Sequence, residues 1–212
     1  MKNKLLNRLF LYLFGLFLLA MGTITSVWSN LGVAATTSAG YAMSIITGLS
    51  LGTFTLIFFA VFVFGQIVLY PKEKYPSVFL QIPISLVFSW LIDFLSSRFY
   101  FEFTGVVSRV ICLLISFLVT GLGAYLTIRT NIAPTPPDGI VEAISEKSKY
   151  PLGTVKNLFD ILNVFIAVIL LLIYRHGVPG IGIGTLLCSL AVGRMLDFCV
   201  KYLDGFMEKL CG

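Results

Sequence analysis

Six runs of about twenty apolar residues occupy most of this 212-residue chain, at roughly 9–28, 53–70, 78–97, 107–128, 156–174 and 182–200. Runs of that length span the hydrocarbon of a bilayer, and a chain in lipid must satisfy every backbone polar group internally. The chain is therefore read as all-α. Only 12% of its residues are charged, about half the share in soluble domains, so no water-soluble domain remains once the spans are removed. The first run is too long for a signal-peptide core and no small-residue cleavage site follows it, so it is expected to be retained.

A second constraint is internal. At an offset of 101, Arg8, Leu13, Gly22, Asn30, Ala42, Ser44 and Leu51-Gly52-Thr53 recur as Arg109, Leu114, Gly123, Asn131, Ala143, Ser145 and Leu152-Gly153-Thr154. Past a three-residue insertion, Leu91-Ile92-Asp93-Phe94 recurs as Met195-Leu196-Asp197-Phe198. The expected organisation is one membrane repeat over 1–104, a second over 105–200, and a short cytoplasmic interfacial tail over 201–212. An odd number of spans per repeat inverts the second copy relative to the first, and related halves can enclose a site near the bilayer midplane.

Orientation follows from the basic residues. With six spans, one face carries Lys2, Lys4, Arg8, Lys72, Lys74, Arg129, Lys147, Lys149, Lys156, Lys201 and Lys209, and the other Arg98, Arg109 and Arg175. Basic residues gather on the cytoplasmic side, which places both termini there. The net charge of +5 is accordingly a membrane signal, not a nucleic-acid one. Cys112, Cys188, Cys199 and Cys211 form no CxxC pair and read as small hydrophobes.

Segments 30–50 and 131–150 fit no ordinary span. Each begins with an irregular stretch after an Asn. A helix-start signal follows, Thr36-Thr37-Ser38 in one and Pro136-Pro137-Asp138 in the other, and then a helix of about 10–12 residues. Such segments either re-enter the membrane from opposite faces or lie flat at its surface. Re-entrant helices would bring two partially positive N-termini to the protein's centre, where Asn30, Thr36, Thr37, Ser38 and Tyr41 of the first copy and Asn131, Asp138 and Glu142 of the second are candidate solute contacts. Asp138 is either a simple N-cap or a coupling carboxylate. Glu142 shares its helix face, or meets cytoplasmic water. Lys156, Asn157, Asp160 and Asn163 form one stripe at the start of the fifth span, with Asp160 either paired to Lys156 or lining a solute path. Arg8, Asp93, Arg109, Arg194 and Asp197 are expected as structural clamps or gates, in cross-pairs such as Arg109–Asp93 and Arg8–Asp197. Gly180, Gly182 and Gly184 suggest close packing, and His176 an external loop without a ligand role.

NLG followed by small residues and TGLSLGT, then NIAPTPPDG, PLGTVKNLFDILN and GIGIGTLL with GRMLDF, resemble the YczE/YyaS/YitT family of bacterial integral membrane proteins over about residues 5–200. The YczE-like branch, without a soluble C-terminal domain, is the nearer. The resemblance implies a bacterial cytoplasmic-membrane location and no assigned reaction. The first copy departs from the family's pattern, with Ala35, Thr36 and Thr37 where a Pro and an acid often stand.

No nucleophile–base set, metal-ligand spacing, cofactor signature or Walker motif is present, so neither an enzyme nor an ATP-driven pump is expected. The leading expectation is a secondary transporter for a small polar or charged solute. The alternative is a non-transporting scaffold, assembly factor or regulatory partner. The bilayer is the certain partner; a second copy of the chain or another membrane protein is left open.

Overall fold

The computed structural model describes residues 2–175 and 177–211, with only the backbone for a few of them, Asp197 included. His176 and the Asp197 side chain lie outside the described residues. The described residues form eight α-helices: α1 (Lys2–Ser29), α2 (Ser38–Thr47), α3 (Leu51–Leu69), α4 (Tyr75–Arg98), α5 (Val106–Arg129), α6 (Pro136–Ser148), α7 (Leu152–Arg175) and α8 (Ile183–Cys211). Among the described residues, five are long and apolar enough to cross a membrane: α1, α3, α4, α5 and α7. Their outward faces suit lipid. On α7, Leu158, Ile161, Leu162, Phe165, Ile169 and Leu172 lie exposed at helical spacing, a continuous apolar stripe that water would oppose. The architecture is that of a multi-pass α-helical membrane protein.

α1 is the spine. Tyr12, Leu16, Ala20 and Ile24, four residues apart, are all buried against Phe59 of α3 and Ile84, Phe88 and Ile92 of α4. Its other side meets α5. There, a Cβ added at Gly22 would overlap Thr120, and one at Gly123 would press on Leu19 and Gly15. Glycine is required at both positions because the backbones nearly touch. Arg8 reaches Thr130 at one end of the contact, while the Cys112 thiol donates to the Thr25 carbonyl at 3.2 Å at the other. Residue numbers climb along α1 as they fall along α5, so the two helices are antiparallel.

α2 and α6 are half-helices. At 1.5 Å per residue, 10 and 13 residues rise about 15–20 Å, too short for a 30 Å core. The chain enters each through an Asn with positive φ, Asn30 at 52° and Asn131 at 49°, and leaves each through another such residue, Gly48 at 76° and Lys149 at 62°. Asn and Gly tolerate this left-handed region; Lys149 does so against its Cβ. Neither half-helix lies flat on the outside of the bundle. Ser38–Ala42 at the start of α2 are buried, as are Pro136, Pro137 and Gly139–Val141 of α6. α2 packs on α7 and α3, and α6 on α3 and α7.

α8 runs beside α5, with Cys199 and Met207 buried against Tyr125 and Leu126. It continues unbroken past Lys201. Residues 201–211, within the stretch expected as a short interfacial tail, continue this helix, fastened by Arg129, whose Nε donates to Asp204 at 2.6 Å.

Candidate functional site

The tips of both half-helices line one hollow of about 420 Å³ at the centre of the bundle. The approach to α2 contributes Ala34 and a 3₁₀ turn, Ala35–Thr37, that widens into the helix at Ser38. Its hydroxyls are turned back on the chain: Thr37 donates to the Ala34 carbonyl at 3.2 Å and Ser38 to that of Ala35 at 2.7 Å. α6 contributes Thr135–Asp138. Thr135 holds the cap position, Pro136 and Pro137 supply the first turn without N–H groups, and Asp138 follows inside it. The Thr135 hydroxyl donates to Asp138 Oδ2 at 2.6 Å. The expected N-cap role for Asp138 is thereby corrected: it is a first-turn carboxylate, favoured there by the helix dipole.

Facing these tips, α7 presents Lys156, Asn157 and Asp160. Lys156 Nζ is 3.3 Å from Asp138 Oδ1 and 3.6 Å from Asp160 Oδ1, so one ammonium serves two carboxylates. Asp160 is only 8% exposed, and its Oδ1 is buried without a hydrogen bond. The remaining wall is apolar, including Leu16, Leu19, Ile84 and the stacked rings of Phe59 and Phe88, 5.6 Å between centroids.

A second hollow, about 740 Å³, lies against the basic end of the molecule. Tyr70, Lys74, Asn131, Glu142 and Leu152 line it, and the Lys74–Glu146 ion pair at 2.5 Å stands beside it. Thr127, Ile128, Thr135, Asp138 and Lys156 line both hollows. The Asp138–Lys156 pair therefore stands in the wall between them. The opposite end is packed by apolar side chains. Val33, Tyr41, Ala42, Ala167, Leu171 and Ile181 pack there as an apolar cluster, and the Thr185 hydroxyl accepts from Val33 N–H at 3.2 Å.

The tip of α6 is held from behind by two buried amides. Gln66 of α3 and Gln81 of α4 exchange hydrogen bonds at 2.9 and 2.8 Å, and Gln66 also donates to the Pro136 carbonyl at 3.2 Å. The strand of chain before it is held by Arg8, whose guanidinium donates to the Thr130 and Asn131 carbonyls, and by Tyr12, which donates to Ala133 O at 3.1 Å.

Of the residues expected at the site, Thr36, Thr37, Asp138, Asn157 and Asp160 line the central hollow, while Asn131 and Glu142 line the second. Ser38 is fully buried with its hydroxyl committed to Ala35. Two expectations are corrected. Tyr41 belongs to the apolar cluster, because the turn of α2 carries it away from the tip. Asn30 serves the backbone turn that ends α1 and lines neither hollow. Asn163 is buried but donates to the Phe159 carbonyl of its own helix.

The charged clamps also differ. Asp93 does not pair with Arg109; it caps α3, accepting from Gly52 N–H at 2.8 Å and the Ser50 hydroxyl at 2.7 Å. Arg109 donates to the Phe103 carbonyl at 2.7 Å, six residues back. Arg8 satisfies the open carbonyls at the end of α5. Arg194 is exposed on α8, and its expected neighbour Asp197 lies outside the described side chains. Gln66 and Gln81 were missed, though an amide within an apolar span is a readable signal. Phe59 and Phe88 carry no signal among so many aromatics.

The chain belongs to a family of unknown function, DUF6198, whose model matches residues 6–201. No curated protein and no solved structure matches it.

Proposed function

We propose that this protein is a secondary transporter for a small polar or charged solute, built as two inverted three-span repeats with the first 18 or so residues of α8 as the sixth span. In this view it resides in a bacterial cytoplasmic membrane with both termini cytoplasmic, as a relative of the YczE/YyaS/YitT proteins. The observation that carries the proposal is the central hollow: two half-helix tips line it, and the Asp138–Lys156 ion pair stands in the wall it shares with a second hollow. Irregular backbone at membrane depth is tolerated where it lines such a space.

Reciprocal contacts favour the inversion. Gly22 presses on Thr120 and Gly123 on Leu19, and each residue in one contact stands 101 positions from its counterpart in the other. α1 and α5 are antiparallel, so a pseudo-twofold relating them runs across their axes, in the membrane plane. The swap of half-helices, α2 onto α7 and α6 onto α3, obeys the same exchange. With the lysine-rich end cytoplasmic, the 740 Å³ hollow faces inward and the arrangement is an inward-facing one. A scaffold would instead pack the repeat interface dry.

The test is a thermal-unfolding screen of purified protein against small polar and charged solutes, followed by counterflow of the stabilising ones in liposomes. A ligand that binds the native state raises its unfolding temperature by mass action. At least one solute is expected to stabilise and to exchange, with both effects lost in Asp138→Asn. A screen without stabilisation and liposomes without flux would overturn the proposal. The scaffold alternative predicts that Asp138→Asn alters assembly or abundance only.

A further inference from the structure

Three ionisable side chains besides the Cys188 thiol line the described part of the central hollow, and their charges do not balance. Asp138 has two partners, the Thr135 hydroxyl at 2.6 Å and Lys156 at 3.3 Å, and sits on the positive end of its own helix. Among the described residues, Asp160 keeps the longer contact to the same ammonium, at 3.6 Å, and its buried Oδ1 receives no hydrogen bond. A carboxylate left without a donor in an apolar surround is costly, and a cation with N–H groups would offset both its charge and its missing hydrogen bond.

The half-helix tips offer an anion little by comparison. Pro136 and Pro137 remove two of the first N–H donors of α6, and Asp138 already occupies its dipole. At α2 the Thr37 and Ser38 hydroxyl protons are committed to carbonyls. Lys156, the one formal positive charge among the described lining residues, is claimed twice. Opposite, Phe59, Phe88 and Ile84 provide an apolar and aromatic wall, suited both to a hydrocarbon body and to an ammonium over a ring face.

From these contacts we infer that the central hollow takes a solute with one ammonium group and an apolar body, that Asp160 is its counter-ion, and that Lys156 is the resident cation it displaces. The inference rests on the hollow being a solute site. Entry of the ligand ammonium onto Asp160 releases Lys156 wholly to Asp138, tightening the wall between the two hollows. Binding on one side of that wall thus acts on the pair that forms it.

Three probes with a common ring separate the charge classes: phenethylammonium, 2-phenylethanol and phenylacetate. Phenethylammonium is expected to raise the unfolding temperature of the purified protein saturably, while phenylacetate does not. Asp160→Asn should raise the half-saturating concentration at least about thirtyfold, the usual loss when one partner of a buried charge pair is removed. Lys156→Gln should lower it, because the rival cation is gone. This opposite sign keeps the test decisive if either variant is less stable. A phenylacetate or 2-phenylethanol shift equal to that of phenethylammonium, unchanged binding in Asp160→Asn, or no shift with any probe would overturn the inference. Flux of an anion without an ammonium shift sinks it and spares the transporter proposal; a saturable, Asp160-dependent ammonium shift with no counterflow of any solute does the reverse.

Discussion

Single side chains at the helix ends decide much of the local structure. Asp93 is the clearest, because it reaches from α4 to cap α3 through Gly52 N–H and the Ser50 hydroxyl. Losing a cap costs about 0.5–2 kcal/mol. Asp93→Ala should therefore lower stability by about that amount without changing ligand-induced shifts, as measured by thermal unfolding with and without a stabilising solute. Asp204 makes a different kind of prediction. The hydrogen bond from Arg129 holds its carboxyl below the usual range. A depressed pKa adds stability above the unfolded value, near 3.9, and that stability is lost as pH falls through the folded value. Asp204→Asn should unfold at a lower temperature than the wild type near about pH 6, and the gap should close on acidification towards about pH 2.

At the scale of elements, the half-helix α6 is only as fixed as the amides behind it. Gln66→Leu leaves Gln81 and the Pro136 carbonyl buried without their partner. An orphaned buried polar group costs about 1–3 kcal/mol, while replacing both members of a pair is often nearly neutral. The double variant Gln66→Leu/Gln81→Leu should accordingly lose less than the sum of the singles in a double-mutant cycle. Elements were the part most legible in the sequence. Apolar run length gave the long helices, and the Asn, Gly and Pro punctuation gave two short ones, with Gly48 and Tyr150-Pro151 near their ends. Partners were less legible because they depend on helix rotation and on turns. Tyr41 stands one turn after Thr37 yet faces the apolar cluster, and Asp93 was paired with an arginine when two donors lie nearer in space. Lys156 was visible as a neighbour of Asp160, but its reach to Asp138 exists only once α6 folds against α7.

For the whole molecule, orientation is the testable property. The proposed six-span arrangement puts residue 72 on the cytoplasmic face and residue 102 on the opposite one. In a variant stripped of the native cysteines, Lys72→Cys should react with a membrane-impermeant maleimide only in inside-out vesicles, and Glu102→Cys only in intact cells. Labelling of both from one face would refute the inverted arrangement. The antiparallel crossing of α1 and α5 makes a related demand: Gly22→Val should weaken the fold by about 1–3 kcal/mol through overpacking, read by thermal unfolding. The segment after α1 bears on how such a molecule would cycle. A methyl group on Gly32 would collide with the backbone of Gly184 and Thr185. Gly32→Ala is thus incompatible with this close contact, and a chain carrying it must either part the two segments or give up the fold; in the proposed permease such a wedge would produce a leak or a stall facing outward, whereas a passive brace would merely loosen.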